Sequence, residues 1–151
     1  MDHRYWDSSV FLAWLKPEPE KAEKCKGVIQ LAEKGDLKIL TSAITLTEVI
    51  KLKGAPKLEE KQEEAIRLFF QNDFLIVRNL DHFVGEYARN LIWKYSHLKP
   101  KDSIHLATAH LHRIEFLDTF DDDLIKLDGL ITNPNIKIGP PNVSSQEELD
   151  L

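Results

Sequence analysis

Four acidic residues that are far apart in the chain, Asp7, Glu48, Asp102 and Asp121, each lie near a predicted strand end or at the start of a predicted helix. In open α/β sheets ligands bind beyond the carboxyl ends of the strands, so these carboxylates are expected to converge at one edge. Converging carboxylates repel one another, and Mg²⁺ or Mn²⁺, which prefer oxygen ligands, would relieve that repulsion. One or two such ions could activate a water molecule and hold a phosphodiester for in-line attack.

Asp102 lies in a stretch that predicts a helix with Pro100 at or beside its first position. Small or apolar residues recur at helical spacing on one side of this helix, at Ile104, Ala107, Thr108, Leu111 and Ile114. Its other side is small or apolar as well, which predicts a buried helix. The Asp102 carboxylate is therefore expected to point into crowded surroundings, where it needs a partner, and a metal ion is one candidate.

Each of the four residues also fits an ordinary structural role. These roles are a helix N-cap for Asp7, a capping box for Thr45-x-x-Glu48, a dipole-complementing charge for Asp102, and a cap with first-turn charges for residues 121–123. Spacing alone does not separate these roles from a shared metal site.

The elements that must position these residues alternate along the chain. Strands are predicted over residues 4–6, 37–40, 74–77, 116–120 and 136–138. Helices are predicted over residues 10–15, 20–35, 44–52, 58–70, 81–95, 100–114 and 121–127. Because no link between strands has the pattern of a tight hairpin, the order favours an α/β fold with a parallel sheet and helices on both faces.

Length, charge and cysteine content narrow the class of protein. The 151 residues suit one domain, and the net charge of −5 argues against a protein held on nucleic acid by bulk charge alone. Cys25 is the only cysteine, so no intrachain disulfide is expected and a reducing compartment fits. Without a signal peptide or an apolar run that could span a bilayer, the sequence predicts a soluble cytoplasmic protein. The acidic tail 140–151 is expected to be disordered.

Four motifs, in this order and at these separations, resemble those of the PIN-domain nucleases, and most of all the VapC-type toxins of toxin–antitoxin pairs. They are YWDSSVFL at residues 5–12, SAITLTEV at 42–49, KDSIHLATA at 101–109 and LDTFDDDL at 117–124. The resemblance covers residues 5–138. It implies a PIN-like domain over residues 1–139, folded as a three-layer α/β/α sandwich with a four- or five-stranded parallel sheet.

The resemblance also implies an activity, which is metal-dependent cleavage of RNA with Mg²⁺ or Mn²⁺. By that resemblance Asp7, Glu48, Asp102 and Asp121 would be the catalytic, metal-binding residues, and Asp123 could share or take the role of Asp121. Toxins of this branch are typically homodimers that a partner antitoxin neutralises by covering the site. The sequence therefore predicts an endoribonuclease with RNA as substrate and an antitoxin as partner.

Two other functions stay open at this stage. One is a metal-dependent phosphatase-like hydrolase on another α/β fold. The haloacid-dehalogenase type expects a second aspartate two residues after the first, where this chain has Ser9, which counts against it. The other is a non-catalytic PIN-like module that binds RNA or protein.

Weaker signals surround the acidic residues. Ser8 and Thr119 are candidates to hydrogen-bond a metal ligand or a phosphate. The basic residues that could meet RNA phosphates are Arg4, Lys51, Lys53, Lys99 and Lys101. The histidines at 105, 110 and 112 do not have the spacing of helical zinc ligands, which predicts surface or core positions for them.

Overall fold

The computed structural model describes residues 2–16, 18–49 and 59–143. Within them, five strands form one sheet, and these are β1 (Asp2–Trp6), β2 (Leu37–Ser42), β3 (Leu75–Arg78), β4 (Phe116–Asp118) and β5 (Lys137–Gly139). Their order is β3-β2-β1-β4-β5, and every pair is parallel. The predicted parallel α/β fold is confirmed, with five strands rather than four.

Helices cover both faces of the sheet. They are α1 (Ser8–Leu15), α2 (Pro19–Glu33), α3 (Thr45–Glu48), α4 (Glu60–Phe69), α5 (His82–Lys94), α6 (Pro100–Leu111) and α7 (Asp122–Ile125). One apolar core lies between the sheet and α5, α6 and α7, and a second lies between the sheet and α1 and α2. The result is the three-layer α/β/α sandwich that the resemblance implied.

Strand β1 is the centre of the molecule because it pairs with β2 on one side and β4 on the other. Successive side chains of a strand point to opposite faces. Tyr5 accordingly belongs to the core under α5 and α6, and Trp6 belongs to the core under α1 and α2. Both side chains are fully buried. Residues that follow β1 therefore leave the middle of the sheet edge, between its two neighbours.

Two predicted elements end earlier than their local pattern indicates. β4 stops at Asp118 instead of residue 120, because the next backbone amides turn to other partners: Thr119 N–H donates to Gly139 O at 2.9 Å and Phe120 N–H to Ser9 Oγ at 3.0 Å. α6 stops at Leu111, followed by a Schellman-type turn with Arg113 at φ +57°.

The C-terminal end of the described chain packs against α2. Val143 is buried, and a Cβ placed on Gly27 would lie 2.8 Å from its Cγ2 atom. Residues 144–151 of the expected tail, like Lys51 and Lys53, lie outside the described residues. In the part of the chain that the structure describes, no helix is long and apolar enough to cross a membrane.

Candidate active site

Three aspartates meet at the carboxyl edge of the sheet. Asp102 lies in the first turn of α6, Asp121 is the N-cap residue of α7, and Asp123 follows within α7. One carboxylate oxygen from each of Asp102, Asp121 and Asp123, which we call the aspartate trio, lies within 4.8 Å of the others. All three residues are partly buried, so their charges are only partly screened by solvent.

The electrostatics of Asp102 reflect this crowding. Burial raises the pKa of its carboxyl from 3.8 to about 6, and the negative charges of Asp121, Asp7 and Asp123 act in the same direction. The charge of His105 opposes them without cancelling them. The trio thus concentrates negative charge that a bound cation would compensate.

Asp7 follows β1 directly and is held firmly from both of its carboxylate oxygens. Oδ1 accepts hydrogen bonds from Ser9 Oγ at 2.5 Å and from the Val10 amide at 3.3 Å, and Oδ2 accepts one from Thr119 Oγ1 at 2.5 Å. Burial nevertheless raises the pKa of Asp7. The residue is 3% exposed and lies outside the trio, although its charge acts on Asp102.

The hydrogen bonds of Asp7 decide two earlier hypotheses. The N-cap role is real, since Asp7 precedes α1 and accepts from its backbone. The expected contact of Thr119 with a site carboxylate is confirmed. The serine that bonds Asp7 is Ser9, however, and not the predicted Ser8.

Glu48 ends α3, and its carboxylate faces α6. Oε1 lies 2.7 Å from His105 Nε2, and Oε2 lies 3.7 Å from Lys101 Nζ. Burial alone would raise the pKa of Glu48, but the hydrogen bond and charge of His105, with the charge of Lys101, outweigh it and leave the pKa below its ordinary value. Glu48 therefore carries a compensated charge beside the trio instead of joining it.

The capping-box interpretation of Glu48 is wrong. The N-cap residue of α3 is Ile44, and it makes no side-chain capping bond. Thr45, which the motif assigns to the cap, pairs its hydroxyl with Thr41 Oγ1 at 2.7 Å. Both ends of the motif thus have other partners, which frees the Glu48 carboxylate to reach α6.

The donor set of the trio fits a divalent cation. Three carboxylates offer hard oxygen ligands of the kind that Mg²⁺ and Mn²⁺ prefer. Their mutual repulsion, seen in the raised pKa of Asp102, is the free energy that such a cation would release. Histidine and cysteine take no part in this group, so its chemistry does not suit a structural zinc ion.

The expected phosphate contacts have different outcomes. The prediction that Arg4 meets RNA phosphates is wrong, because this side chain is buried. It donates to the Asp118 carboxylate at 2.9 Å from Nε and 2.7 Å from Nη2. Lys99 is exposed at the N-cap of α6, and Lys101 is exposed beside Glu48. Only the two lysines, of these three residues, have charges available to a ligand.

Comparison with known proteins identifies the family. The sequence model of the PIN domain matches residues 4–130, which is most of the chain. The chain belongs to the PIN domain family. Its resemblance to PIN-domain proteins, noted from four short motifs, is therefore confirmed by a match that spans β1 to α7.

Solved structures similar to this PIN domain include three from toxin systems. The VapC20 toxin of Mycobacterium tuberculosis, described as cleaving the sarcin–ricin loop, has a TM-score of 0.64 at 15% identity, with 80% of this chain and 92% of that chain covered. A toxin–antitoxin complex from Klebsiella pneumoniae has a TM-score of 0.61 at 23% identity, with 93% of this chain and 99% of that chain covered. VapBC2 of Rickettsia felis, bound to a promoter DNA fragment, has a TM-score of 0.65 at 14% identity, with 90% of this chain and 96% of that chain covered. No curated protein sequence matches.

Several residues of this PIN domain site carry no local sequence signal. The bond between Ser9 and Asp7 joins neighbours, but the partners of Glu48 and of Asp118 lie on distant elements. His105 was assigned to surface or core, and its buried position confirms the core alternative. The i, i+3 spacing of Asp102 and His105 on one helix was the available signal that both reach the same side.

Proposed function

We propose that this PIN domain is a metal-dependent endoribonuclease and the toxin of a toxin–antitoxin pair. The observation that carries the proposal is the aspartate trio, with Asp7 and Glu48 beside it, at the sheet edge where α/β proteins bind ligands. The fold likeness to toxin structures, one of them described as a toxin that cleaves the sarcin–ricin loop, supports the same function.

In the proposed mechanism the carboxylates of Asp102, Asp121 and Asp123 would hold one or two Mg²⁺ or Mn²⁺ ions, with Asp7 and Glu48 completing the acidic site. A bound cation would supply Lewis-acid chemistry, neutralising phosphate charge and lowering the pKa of water for in-line attack on phosphorus.

The residues of the chain keep this acidic site in place. Ser9 and Thr119 fix the Asp7 carboxylate from both sides, and the bond from His105 fixes that of Glu48. Without a cation, the same carboxylates repel an RNA phosphate. The exposed ammonium of Lys101, beside Glu48, is available to a phosphate at the rim.

The phosphatase-like alternative is not favoured. Such chemistry would use Asp7 as the nucleophile, but that residue is 3% exposed and both of its oxygens already accept hydrogen bonds.

The partners proposed for the nuclease are RNA as substrate in the cytoplasm, an antitoxin protein, and a second copy of the chain in a homodimer. The antitoxin is supported by the toxin–antitoxin complexes among the similar structures.

The test is a cleavage assay on mixed RNA with the purified protein, in EDTA and with Mg²⁺ or Mn²⁺ added back. We expect cleavage with either ion, products that carry a 5′-phosphate, and no cleavage in EDTA. Asp102→Asn serves as the control for a contaminating nuclease, because its activity should be lost under all conditions. Parent cleavage that persists in EDTA but is lost in Asp102→Asn, or a parent that does not cleave with either ion, would refute the proposal.

A further inference from the structure

A buried histidine connects the core to one carboxylate of the acidic site. His105 is 2% exposed, and its ring has a partner at each nitrogen: Nδ1 lies 2.6 Å from Tyr5 Oη and Nε2 lies 2.7 Å from Glu48 Oε1. The rings of Tyr5 and His105 also contact edge to face, with centroids 5.7 Å apart. The imidazole orientation is therefore set by the central strand, independently of any ligand.

The direction of the bond to Glu48 does not depend on the charge of the ring. The ionised carboxylate of Glu48 can only accept, so in the neutral ring Nε2 carries the hydrogen and Nδ1 accepts from the Tyr5 hydroxyl. In the protonated ring both nitrogens donate. In either case Nε2–H points at Glu48 Oε1, so the histidine presents a constant donor to that carboxylate.

Glu48 needs such a donor because its own element is short. It is the last residue of α3, which has four residues. The other charged contact, to Lys101 Nζ at 3.7 Å, comes from a side chain that is 63% exposed, and exposed pairs of this kind contribute little. His105, by contrast, lies one turn after Asp102 on α6, so its bond fixes Glu48 to the helix that also carries Asp102.

We propose that His105 is a positioning residue that holds the Glu48 carboxylate against α6, the helix that also carries Asp102, as part of the acidic site that a divalent cation would occupy. Tyr5 supports this role by fixing the ring. The inference rests on the proposed function, since it assigns a purpose to Glu48 within the same site. Hydrogen bonds that orient a ligating carboxylate commonly change metal affinity or activity by about 10–100-fold when removed.

Two amide variants separate this role from a merely structural one. The side-chain nitrogen of His105→Gln is as many bonds from the backbone as Nε2, so it can still donate to Glu48. The amide of His105→Asn corresponds to Nδ1, so it can still bond Tyr5 but does not reach Glu48. Both variants remove the ring and place an amide in the core; asparagine is one methylene smaller, and thermal unfolding reports the difference in packing that this causes.

The measurement is the Mn²⁺ affinity of each protein by titration calorimetry, alongside RNA cleavage and thermal unfolding. We expect His105→Asn to lose about 10-fold or more in Mn²⁺ affinity, and His105→Gln to stay within about 3-fold of the parent. Glu48→Gln supplies a double-mutant cycle, because a residue that acts through Glu48 should have no further effect once that carboxylate is gone. His105→Asn should therefore change Mn²⁺ affinity little in the Glu48→Gln background.

The outcomes separate this inference from the proposed function. Equal losses in His105→Asn and His105→Gln, or a loss that persists in the Glu48→Gln background, would overturn the positioning role. A parent that cuts no RNA but shows the expected pattern of Mn²⁺ affinities would remove the nuclease proposal and support the positioning role. A parent that binds no Mn²⁺ would overturn both.

Discussion

Asp121 shows how one side chain can serve the fold and the candidate site together. Its Oδ1 atom accepts the Asp123 amide at 2.9 Å, which caps α7, while the carboxylate also belongs to the aspartate trio. Asp7 combines the same two roles, because it caps α1 and its charge acts on Asp102. Capping and metal binding are thus compatible uses of a carboxylate at the start of a helix.

Asp121→Asn should separate these two uses. Asparagine is as good an N-cap as aspartate, and the substitution removes one charge from the trio, so thermal stability in EDTA should be kept or rise slightly. One anionic ligand is lost, so Mn²⁺ affinity and RNA cleavage should fall by at least about 10-fold, the effect of losing even a supporting residue of a metal site.

Asp122→Asn is the matched control for that substitution, because Asp122 is exposed in the same turn and lies outside the trio. It should leave affinity and cleavage unchanged. Asp123→Asn is expected to weaken both, as Asp121→Asn does. An Asp121→Asn protein with full activity would exclude Asp121 and leave Asp123 as the residue of that motif to test.

Asp102→Asn should change how stability depends on pH in the absence of metal. The pKa of Asp102 is about 6 in the folded protein and 3.8 is its ordinary value, so the folded state binds the proton more tightly. In EDTA the Asp102 carboxyl should therefore add stability as pH falls from 7 towards 4, and this stability is lost as pH rises through 6. Because Asp102 is partly exposed, the pKa shift is discounted for solvent screening, and the ionised carboxylate then destabilises the folded state by roughly 1 kcal/mol at pH 7.

The variant lacks this destabilising charge, so thermal melts in EDTA should show that the variant is more stable than the parent at pH 7. The difference should shrink towards pH 4. Burial raises the pKa of Asp7 and Asp118 in both proteins, so these contributions largely cancel in the difference between the two curves, which reports Asp102 and its coupling to the neighbouring charges. Parallel curves would show that Asp102 is a screened first-turn charge.

At the scale of elements, local pattern predicted which helices and strands exist but not where side chains find distant partners. Alternating strands and helices gave the parallel order correctly, because strand and helix periodicities are local. The prediction that Arg4 meets phosphate failed because its partner Asp118 is 114 residues away, which local sequence does not show. The capping box at Glu48 failed for the same reason, since His105 lies 57 residues away. The structure brings three of the five acidic candidates into one group, and Asp7 and Glu48 lie outside it.

The pair between β1 and β4 should be costly to break from one side. Arg4→Met would leave the buried Asp118 carboxylate without its cation, and removing one partner of a buried pair costs about 3–5 kcal/mol. Chemical denaturation measures this loss. The double variant Arg4→Met/Asp118→Asn, which leaves no unpaired charge, should recover much of it. A double variant that is less stable than the single one would indicate that the Trp6 bond to Asp118 matters more.

Two helical glycines offer a matched test of packing between α2 and the C-terminal segment. Gly85→Ala in α5 meets no atom within 4 Å, so the unfolding free energy should rise by about 0.5–1 kcal/mol from helix propensity. Gly27→Ala in α2 gains the same propensity but lies 2.8 Å from Val143 Cγ2, so its gain should be smaller or absent. The double variant Gly27→Ala/Val143→Ala relieves that contact. Its unfolding free energy should exceed that of Val143→Ala by the full propensity gain.

At the scale of the whole molecule, the acidic residues come from elements on both faces of the sheet. The trio lies at the starts of α6 and α7 on one face, and Asp7 caps α1 on the other. A ligand bound by residues so far apart in the chain favours the folded state as a whole and not one element.

Mn²⁺ should therefore raise the unfolding free energy of the parent by about 2.7 kcal/mol at a concentration 100 times the dissociation constant. Thermal or chemical unfolding in EDTA and in Mn²⁺ measures the difference. Asp121→Asn should gain less because its affinity is lower, and Asp122→Asn should gain as much as the parent. A gain of equal size in all three proteins would place the ion elsewhere.

The central position of β1 has a consequence for the timing of synthesis. Asp7 leaves the ribosome 112 residues before Thr119, one of its two hydroxyl donors. Domains fold as units during translation, and sheets built from non-local parallel pairs form slowly. While those residues are being made, the growing polypeptide carries its first acidic motif without the strand that completes the surroundings of that motif. The cell therefore has an interval, set by elongation and folding, between making this motif and possessing the finished acidic site.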